Sequence, residues 1–296
     1  MTTLDVPSGR AGTDPTPGPG DPRLARLSLN QKTTNRWTVA EAVAGCVRAG
    51  LPAIGLWREP VQQTGVTATA RMVADAGLRV SSLCRGGFLT VAEVTQQGRA
   101  LADNRRAIEE AAALGTDCLV IVAGGVPEGS RDLAGARRRV ADAIGTLAPY
   151  AEQCGVRLAL EPMHPIYCAD RGVLSTLGQA LDLAENFPAE QVGVVVDSFH
   201  VWWDPDVQSQ IARAAGRICS FQVGDWITPL PADSLLSRGM MGDGHIDFGS
   251  LRRAVDAAGY GGDIEVEIFN ADVWAADPDA VVATVARRYV THVLND

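Results

Sequence analysis

The feature that most constrains the fold of this chain is a regular alternation of short apolar runs with longer stretches of helical periodicity. The runs that predict strands are residues 24–30, 53–57, 79–84, 118–122, 157–161, 192–197, 218–223 and 264–268. The predicted helices lie at residues 38–49, 66–76, 98–114, 132–153, 173–186, 206–215, 249–258 and 277–293. Open doubly wound sheets usually have fewer strands. Eight strands, each followed by a helix, therefore predict an α/β protein of the (β/α)8 TIM-barrel class.

Domain organisation follows from length and local composition. Residues 1–22 are rich in Pro, Gly, Thr and Asp and contain almost no large apolar side chain, so we predict a disordered tail there. Residues 23–296 carry the alternating pattern throughout. Because 46% of the 296 residues are hydrophobic, we predict that residues 23–296 form a single TIM-barrel domain with a large core.

Charge and cysteine content narrow the range of partners. A net charge of −9 and a pI near 5.0 would repel nucleic-acid phosphates, and the Arg run at residues 137–139 is typical of a solvated helix face. The six cysteines show neither CxxC nor finger spacing, which favours a reducing cytoplasm over a disulfide framework. No segment resembles a signal peptide or a membrane span. We expect a cytoplasmic protein without nucleic-acid or membrane partners, and the sequence leaves open whether it forms a homo-oligomer.

Polar side chains stand at or just past the carboxyl-terminal ends of the predicted strands. They are Asn30, Trp57, Arg85, Glu161, His164, Asp197, His200, Gln222, Asp225 and Glu267. In a closed barrel these strand ends meet on one face, which is where proteins of this class keep their chemistry. We therefore expect the side chains to share a single site.

The strongest functional signal is a set of donors at the ends of four successive apolar strands. They stand in the segments L-A-L-E-P (Glu161), V-V-V-D-S-F-H (Asp197 and His200), S-F-Q-V-G-D (Gln222) and E-V-E-I-F (Glu267). A carboxylate in a barrel mouth loses hydration and needs a counter-charge. A lone acid would favour an ion pair with an arginine such as Arg85 or Arg157. Four donors together favour a divalent cation, Mn²⁺, Mg²⁺, Co²⁺ or Zn²⁺, with open positions for a substrate.

These residues resemble the xylose-isomerase-like barrels, a family that includes ketose 3-epimerases, inosose isomerase and dehydratase, hydroxypyruvate isomerase and, more distantly, endonuclease IV. The resemblance covers roughly residues 24–290. It rests on E-P after strand five, D-x-x-H after strand six, G-x-G-x-I-D-F at residues 242–248 and G-Y-x-G-x-I-x-V-E at residues 259–267. The resemblance implies one bound divalent metal ion.

The resemblance also implies roles for individual residues. Glu161, Asp197 and Glu267 match carboxylate ligands of the metal, and the two glutamates match the acid and base of proton transfer. His200 matches a histidine that touches the substrate near the metal. Gln222 stands where most epimerases have a histidine ligand. Its amide oxygen would suit Mn²⁺, the favoured ion, or Mg²⁺ as a fourth ligand, and the alternative is a simple hydrogen-bonding residue.

Four further residues are expected to contact the substrate, three of them with an alternative. His164 bonds the substrate or orients Glu161, or it is an ordinary loop histidine. Arg238 begins the segment R-G-M-M-G-D-G-H, which predicts either a lid over the ligand or a surface turn. Trp57 gives the mouth an apolar wall for sugar C–H faces, or it packs at the rim. Asn30 ends the first strand at the same mouth.

The predicted site suits proton abstraction beside a carbonyl, which needs a base and a positive centre for the enediolate charge. The sequence therefore predicts a metal-dependent isomerase or epimerase of a ketose or keto-sugar, with Glu161 and Glu267 moving protons. The alternative is a lyase of 3-oxo-glycosides or inososes, because the same enediolate can expel a leaving group. An endonuclease-IV-like phosphodiesterase fits poorly, since that chemistry relies on many histidine ligands and the chain has four histidines. A non-catalytic binding module is the last alternative.

Overall fold

Eight parallel strands close into a barrel in the computed structural model, which describes residues 17–295. The barrel strands are β1 (Leu27–Asn30), β2 (Ala53–Trp57), β3 (Arg79–Gly87), β4 (Cys118–Val122), β5 (Arg157–Glu161), β6 (Val192–Asp197), β7 (Ile218–Val223) and β10 (Ile264–Val266). Their order around the barrel is β1-β10-β7-β6-β5-β4-β3-β2, and β1 also pairs with β2. A short antiparallel hairpin, β8 (Asp225–Trp226) and β9 (Arg238–Gly239), follows β7. The predicted (β/α)8 barrel is confirmed.

Helices cover the outside of the barrel. They are α1 (Val39–Ala49), α2 (Arg58–Thr64), α3 (Val66–Asp75), α4 (Val94–Ala113), α5 (Leu133–Gln153), α6 (Leu177–Ala184), α7 (Ser198–Val201), α8 (Val207–Arg213), α9 (Phe248–Ala257), α10 (Ala271–Ala275) and α11 (Pro278–Arg288). Side chains cap the first turns of most of them, though not of α2, α3 or α8. The Thr38 hydroxyl accepts a hydrogen bond from the Glu41 N–H while the Glu41 carboxylate accepts one from the Thr38 N–H. No helix within residues 17–295 is long and apolar enough to cross a membrane.

Several element bounds differ from the predicted ones for local reasons. β1 begins only at Leu27, because residues 22–24 form a 3-10 turn capped by the Asp21 carboxylate. β3 continues past its predicted end to Gly87, because the Asn104 side chain on α4 bonds both the N–H and the C=O of Gly87. The predicted helix at residues 66–76 is preceded by a separate helix, α2, directly after β2.

The predicted disordered tail, residues 1–22, falls mostly outside the described residues. Of its last six residues, Pro19 packs against Gly50, which ends α1 with a φ of 69°. A Cβ on Gly50 would come within 2.5 Å of the Pro19 Cα, so glycine is required by the close approach as well as by the backbone conformation.

Two apolar layers hold the fold together. The larger lies between strands and helices, and the smaller fills the barrel interior with Cys84, Cys118, Val120, Ala159, Val195 and Cys219. Side chains alternate across a strand, so residues two apart share a face. Glu161 and Asp197 stand two residues beyond Ala159 and Val195. They therefore point into the barrel, one layer above the apolar plug.

Arginines at the amino-terminal end of the barrel each pair with an aspartate, and one of these aspartates, Asp256, also pairs with Arg252. The pairs are Arg26–Asp256, Arg79–Asp263 and Arg157–Asp117. Arg157, the first residue of β5, lies 3.0 Å from Asp117, at the opposite end of the strand from Glu161. Arg157 therefore does not neutralise the acids at the carboxyl-terminal end.

Candidate active site

A cavity of about 430 Å³ opens at the carboxyl-terminal end of the barrel. Its buried polar lining is Glu161, His200, Arg238 and Glu267, and its apolar lining includes Trp57, Met163 and Phe269. These side chains come from several separate barrel segments, as expected for a site built on strand ends. The volume suits a small-molecule ligand.

Glu161 ends β5 and is 5% exposed in this cavity. Its carboxylate makes no hydrogen bond with any residue that the structure describes, and the His200 Nε2 lies 3.9 Å from its Oε1. Burial raises the pKa of Glu161 well above the usual range, and the nearby Glu267 and Asp197 charges raise it further. A buried acid without a fixed partner is suited to bind a cation or to exchange a proton with a ligand.

Asp197 ends β6, is fully buried and is held by Arg238. The Arg238 guanidinium donates from Nη2 to Oδ2 at 2.6 Å and from Nη1 to Oδ1 at 3.1 Å. The same Nη2 lies 3.1 Å from the Glu267 Oε2, and the guanidinium packs over the Phe199 ring. Arg238 is only 3% exposed. Arg238 therefore lies between two of the predicted metal ligands, whereas residues 242–245 of the segment that it begins form an exposed turn.

A second buried aspartate, Asp225, fixes the segment that follows Arg238. Its carboxylate accepts hydrogen bonds from the peptide N–H groups of Gly242, Gly244 and Ile246 at distances between 2.8 and 3.0 Å. Gly244 approaches so closely that a Cβ would lie 2.1 Å from the backbone oxygen of Trp226. A lid movement of residues 242–246 would have to break three charge-assisted hydrogen bonds.

Glu267 directly follows β10 and is held by two donors. Asn30 Nδ2 donates to its Oε1 at 3.0 Å, and Arg238 faces its Oε2. Burial raises the pKa of Glu267 to about 8 even though Arg238 lowers it. The sequence predicts a substrate contact for Asn30. Its side-chain amide is instead fully buried and hydrogen-bonded within the protein, because it also donates to Glu265 and accepts from the Trp57 indole N–H. Asn30 therefore positions Glu267.

Glu265 is a buried acid on β10 to which the sequence analysis assigns no role. Its carboxylate accepts hydrogen bonds from Asn30 Nδ2 at 2.6 Å, Ser81 Oγ at 2.6 Å, Ser82 Oγ at 2.8 Å and Gln222 Nε2 at 3.3 Å. It lies two residues before Glu267, so the two-residue period of a strand, applied to E-V-E, is the signal that places both acids on the inner face. Glu265 is therefore fully hydrogen-bonded, and it supports the site from the side of the barrel interior.

Gln222 lies on β7, in register with Asp197 on β6 and Glu265 on β10. Its Nε2 donates to Glu265, which leaves Oε1 buried and without a hydrogen-bond partner in the described part of the chain. A buried acceptor without a partner costs roughly 1–3 kcal/mol. The unpaired atom is the amide oxygen that the family resemblance suggests as a metal ligand.

His200, on α7, is buried beside the acids. Its Nδ1 accepts a hydrogen bond from the His164 peptide N–H at 3.2 Å. Burial lowers the pKa of His200 to about 3, so the ring is neutral at pH 7. Its Nε2 lies 3.2 Å from the Arg238 Nη2, a group that can only donate, and 3.9 Å from carboxylate oxygens of both Glu161 and Asp197. His200 therefore links Arg238 to the acids that face the cavity.

Trp57 and His164, both predicted to contact the substrate, lie in different places. Trp57 forms part of the cavity wall, edge-on to Phe269 at 5.6 Å. His164 lies outside the set of described residues that line the cavity: its Nδ1 accepts from the Ile166 N–H and its ring packs 4.5 Å from Trp226. The loop-histidine alternative fits His164, whose backbone orients His200.

The buried charges at this end of the barrel do not balance. Four buried carboxylates belong to the inner face, those of Glu161, Asp197, Glu265 and Glu267, whereas buried Asp225 is satisfied by backbone N–H groups. Among the described arginines, Arg238 is the one that reaches any of them within 4 Å, and it leaves Glu161 unpaired. Ligand atoms of Glu161, Asp197 and His200 lie within 4.8 Å of one another. With the unpaired Gln222 oxygen, the donor set fits a divalent cation better than a network of ion pairs alone.

The family follows from comparison with known proteins. The sequence model of the xylose isomerase-like TIM barrel matches residues 43–289. The chain belongs to this family. The matched segment contains the four predicted metal ligands together with Arg238 and His200.

Three relatives illustrate the likeness. The chain is 29% identical over 132 residues to L-ribulose 3-epimerase of Mesorhizobium japonicum, covering 44% of this chain and 40% of that enzyme. It spans less than half the length of the curated relatives it matches. A crystal structure from Sinorhizobium meliloti 1021 is 47% identical with a TM-score of 0.88, over 91% of this chain and 98% of that one. The IolI protein, solved with a zinc atom, is 20% identical with a TM-score of 0.78, over 90% and 98%.

Proposed function

We propose that the protein is a divalent-metal-dependent isomerase or epimerase of a ketose or keto-sugar. The observation that carries the proposal is the pair Glu161 and Glu267, two buried carboxyls with raised pKa that line one cavity. The similarity to a sugar epimerase of the same family supports it. The structural neighbour that contains zinc supports a metal ion in this class of barrel.

The residues that would hold the ion are Glu161, Asp197, Gln222 and Glu267, with Mn²⁺ favoured by three carboxylates and an amide oxygen. When bound, the ion supplies positive charge to the carbonyl oxygen and neighbouring hydroxyl of a hydroxy-ketone, which acidifies the C–H between them. The remaining chemistry belongs to the side chains of the chain itself.

Glu161 and Glu267 move the protons. They extend from β5 and from the end of β10, two barrel strands that are separated by β6 and β7. A carboxylate with a raised pKa is a stronger base than an ordinary one, so proton removal from carbon becomes feasible near neutral pH. If one glutamate removes a proton and the other returns one to the opposite face of the carbon, the product is an epimer.

Arg238 stabilises the charge that develops on the substrate oxygens, and His200 orients it. The His200 ring lines the cavity, with Nδ1 held by the His164 peptide N–H and Nε2 3.2 Å from the Arg238 Nη2. Arg238 is held by Asp197 and Glu267, so its positive charge is fixed before the reaction begins. Donors that are held in place in a water-poor site stabilise a developing oxyanion at little reorganisation cost.

Solvent exchange tests the reaction class. A panel of ketoses, inososes and 3-oxo-glycosides is incubated with the Mn²⁺-loaded protein in D₂O and followed by NMR. We expect deuterium at the carbon beside the carbonyl, in a labelled isomer of the substrate. Elimination of a leaving group would instead identify the lyase. If no member of the panel shows exchange or elimination, the proton-transfer function assigned to Glu161 and Glu267 is wrong.

A further inference from the structure

The part of the cavity wall that lies outside Glu161, His200, Arg238 and Glu267 carries an excess of positive charge. The remaining charged residues that line it are Lys32, Arg85, Arg171 and Glu59. Three of these four are cations, so the wall has an excess of two positive charges. A neutral sugar needs hydroxyl partners and apolar surface, and it gives no reason for unmatched cations beside a binding site.

Arg85 is a cation on this wall that no described residue neutralises at close range. Its guanidinium makes no hydrogen bond and no ion pair within 4.0 Å with any residue between 17 and 295. Glu59 and Glu161 attract it from a greater distance, and burial still lowers the pKa of Arg85. All five N–H donors of this guanidinium are therefore available to a ligand.

Two features of the fold hold Arg85 in position without using those donors. The Phe88 ring centroid lies 4.1 Å from its guanidinium carbon, so the flat group is held by a cation–π contact. The strand is fixed two residues later, where Asn104 bonds both the N–H and the C=O of Gly87. A rigid backbone and a stacked guanidinium reduce the entropy that a ligand would have to overcome.

Arg171 brings a second guanidinium toward the first. Its charge lowers the pKa of Arg85, which shows that the two cations repel each other across the wall. Arg171 pairs only loosely with its neighbour Asp170, at 3.4 Å, and its backbone oxygen accepts a hydrogen bond from the Gly124 N–H. Two guanidiniums that repel each other become favourable when an anion lies between them.

We infer that the substrate carries a carboxylate or phosphate group and that Arg85, assisted by Arg171, binds it. The inference rests on the proposed function, because it names the substrate class of the same cavity. The planar fork of arginine matches either oxyanion with two parallel hydrogen bonds. Lys32, which lies 5.3 Å from the Trp57 ring, adds positive charge just past the carboxyl-terminal end of β1.

Calorimetric titration with three matched ketoses tests the inference. The probes are D-fructose, D-fructuronate and D-fructose 6-phosphate, which share a keto-sugar body and differ in the terminal group. On the Mn²⁺-loaded protein we expect one or both anionic probes to bind at least about tenfold more tightly than fructose, the effect of one charge-assisted pair. The carboxylate and phosphate arms show which anion the site takes.

Variants locate the effect. Arg85→Met should abolish the preference for the anionic probes and leave the affinity for fructose unchanged, while Arg85→Lys should retain part of it. Arg171→Met should reduce the preference, and this residue is partly exposed, so its replacement should not affect folding. Arg138→Met, an exposed residue of α5, removes the same charge away from the cavity and should preserve the preference.

The outcomes separate this inference from the proposed function. Equal or absent binding of the anionic probes, or a preference that survives in both Arg85→Met and Arg171→Met, overturns the anion site. Deuterium exchange into a neutral ketose with equal affinity for all three probes leaves the proton-transfer function intact and overturns the anion site alone. An Arg85-dependent preference for anions without exchange in any substrate supports the anion site and contradicts the proposed function.

Discussion

The two ends of the barrel treat charge in opposite ways. At the amino-terminal end, three arginines each face one aspartate in a partly exposed pair. At the carboxyl-terminal end, four buried carboxylates lie near one engaged guanidinium, and Arg85 faces the cavity without a partner. Exposed pairs contribute at most about 1 kcal/mol each, whereas unmatched buried charges cost stability. The matched end serves the fold, and the unmatched end is where we place the chemistry.

Removal of the metal ion should have the largest effect of all, and it should act on the carboxyl-terminal end alone. We expect about one divalent ion per chain by elemental analysis, and chelation should abolish solvent exchange because the buried acids then carry only protons. Chelation should also lower the Tm, since a cation bound only by the folded chain stabilises it. Addition of Mn²⁺ should restore both properties. Full exchange by a thoroughly metal-free sample would contradict the metal site.

Replacement of a single glutamate should have the next largest effect. Glu161→Gln and Glu267→Gln remove the proton-transferring group with little change of shape, so exchange should fall by at least ~10²-fold. Glu161→Gln should not reduce the Tm of the metal-free protein, because the Glu161 carboxylate makes no hydrogen bond with any described residue. Asp263→Asn at the matched end is the control and should exchange at the wild-type rate. A slow Asp263→Asn variant would remove the distinction between the two ends.

The pH dependence of stability should distinguish the buried carboxyls of the carboxyl-terminal end from the paired aspartates of the amino-terminal end. The folded chain keeps the protons of Glu161 and Glu267 above the ordinary glutamate range. In the metal-free protein, the contribution of Glu267 to stability is therefore complete below about pH 4.5 and is lost as the pH rises through about 8, and the contribution of Glu161 is lost in the same direction as the pH rises above the ordinary glutamate range. The Tm advantage of Glu161→Gln over wild type should thus be larger at pH 8 than at pH 5. Thermal melts at the two values measure it, and a constant difference would show that Glu161 is ionised throughout.

The pKa values of His200 and His164 are shifted in the opposite direction to those of the glutamates, so their effect on stability has the opposite pH dependence. Burial lowers the pKa of His200 to about 3 and that of His164 to about 4. Their contribution is present above the ordinary histidine range and is lost as the pH falls through these values. They therefore do not produce a loss of stability between pH 7 and pH 8, and the comparison of Glu161→Gln with wild type isolates the carboxyl effect in that range.

The smallest effect is expected at the matched end. Arg79→Ala should lower the free energy of unfolding by no more than about 1 kcal/mol, because the Arg79–Asp263 pair is partly exposed. Solvent exchange and metal content should not change. Denaturant titration measures the first quantity, and a loss of several kcal/mol would mean that this end holds the barrel together more tightly than its exposure indicates.

The sequence predicted the parts of the molecule that depend on local pattern. An apolar run that ends in an acid defines β5 with Glu161 and β6 with Asp197, and both strands have the predicted bounds. Contacts that arise from closure of the barrel were not predictable in this way. Asn30 serves Glu267 only because β1 pairs with β10, a register between segments more than 230 residues apart.

The segment that begins at Arg238 is a second case in which the sequence pattern did not predict the contacts. Its glycine-rich surroundings predict a mobile or exposed segment, because glycine lacks a side chain that packs. The structure instead uses the absence of a Cβ to bring the Gly242 and Gly244 N–H groups against Asp225. The sequence shows Asp225 only as one more strand-end acid, and the donors that satisfy it lie 17 to 21 residues away.

The cysteines of the barrel interior give the protein a built-in reporter of its own opening. Cys84, Cys118 and Cys219 lie in the apolar plug, where burial raises each thiol pKa above its ordinary value. Alkylation requires the thiolate and access to it. Half-buried Cys154 and Cys168 should therefore be alkylated first, and the rate at which the interior thiols follow should report the rate at which the strands separate. Mass spectrometry of timed alkylation would thus measure how often the barrel opens at each strand that carries a buried cysteine.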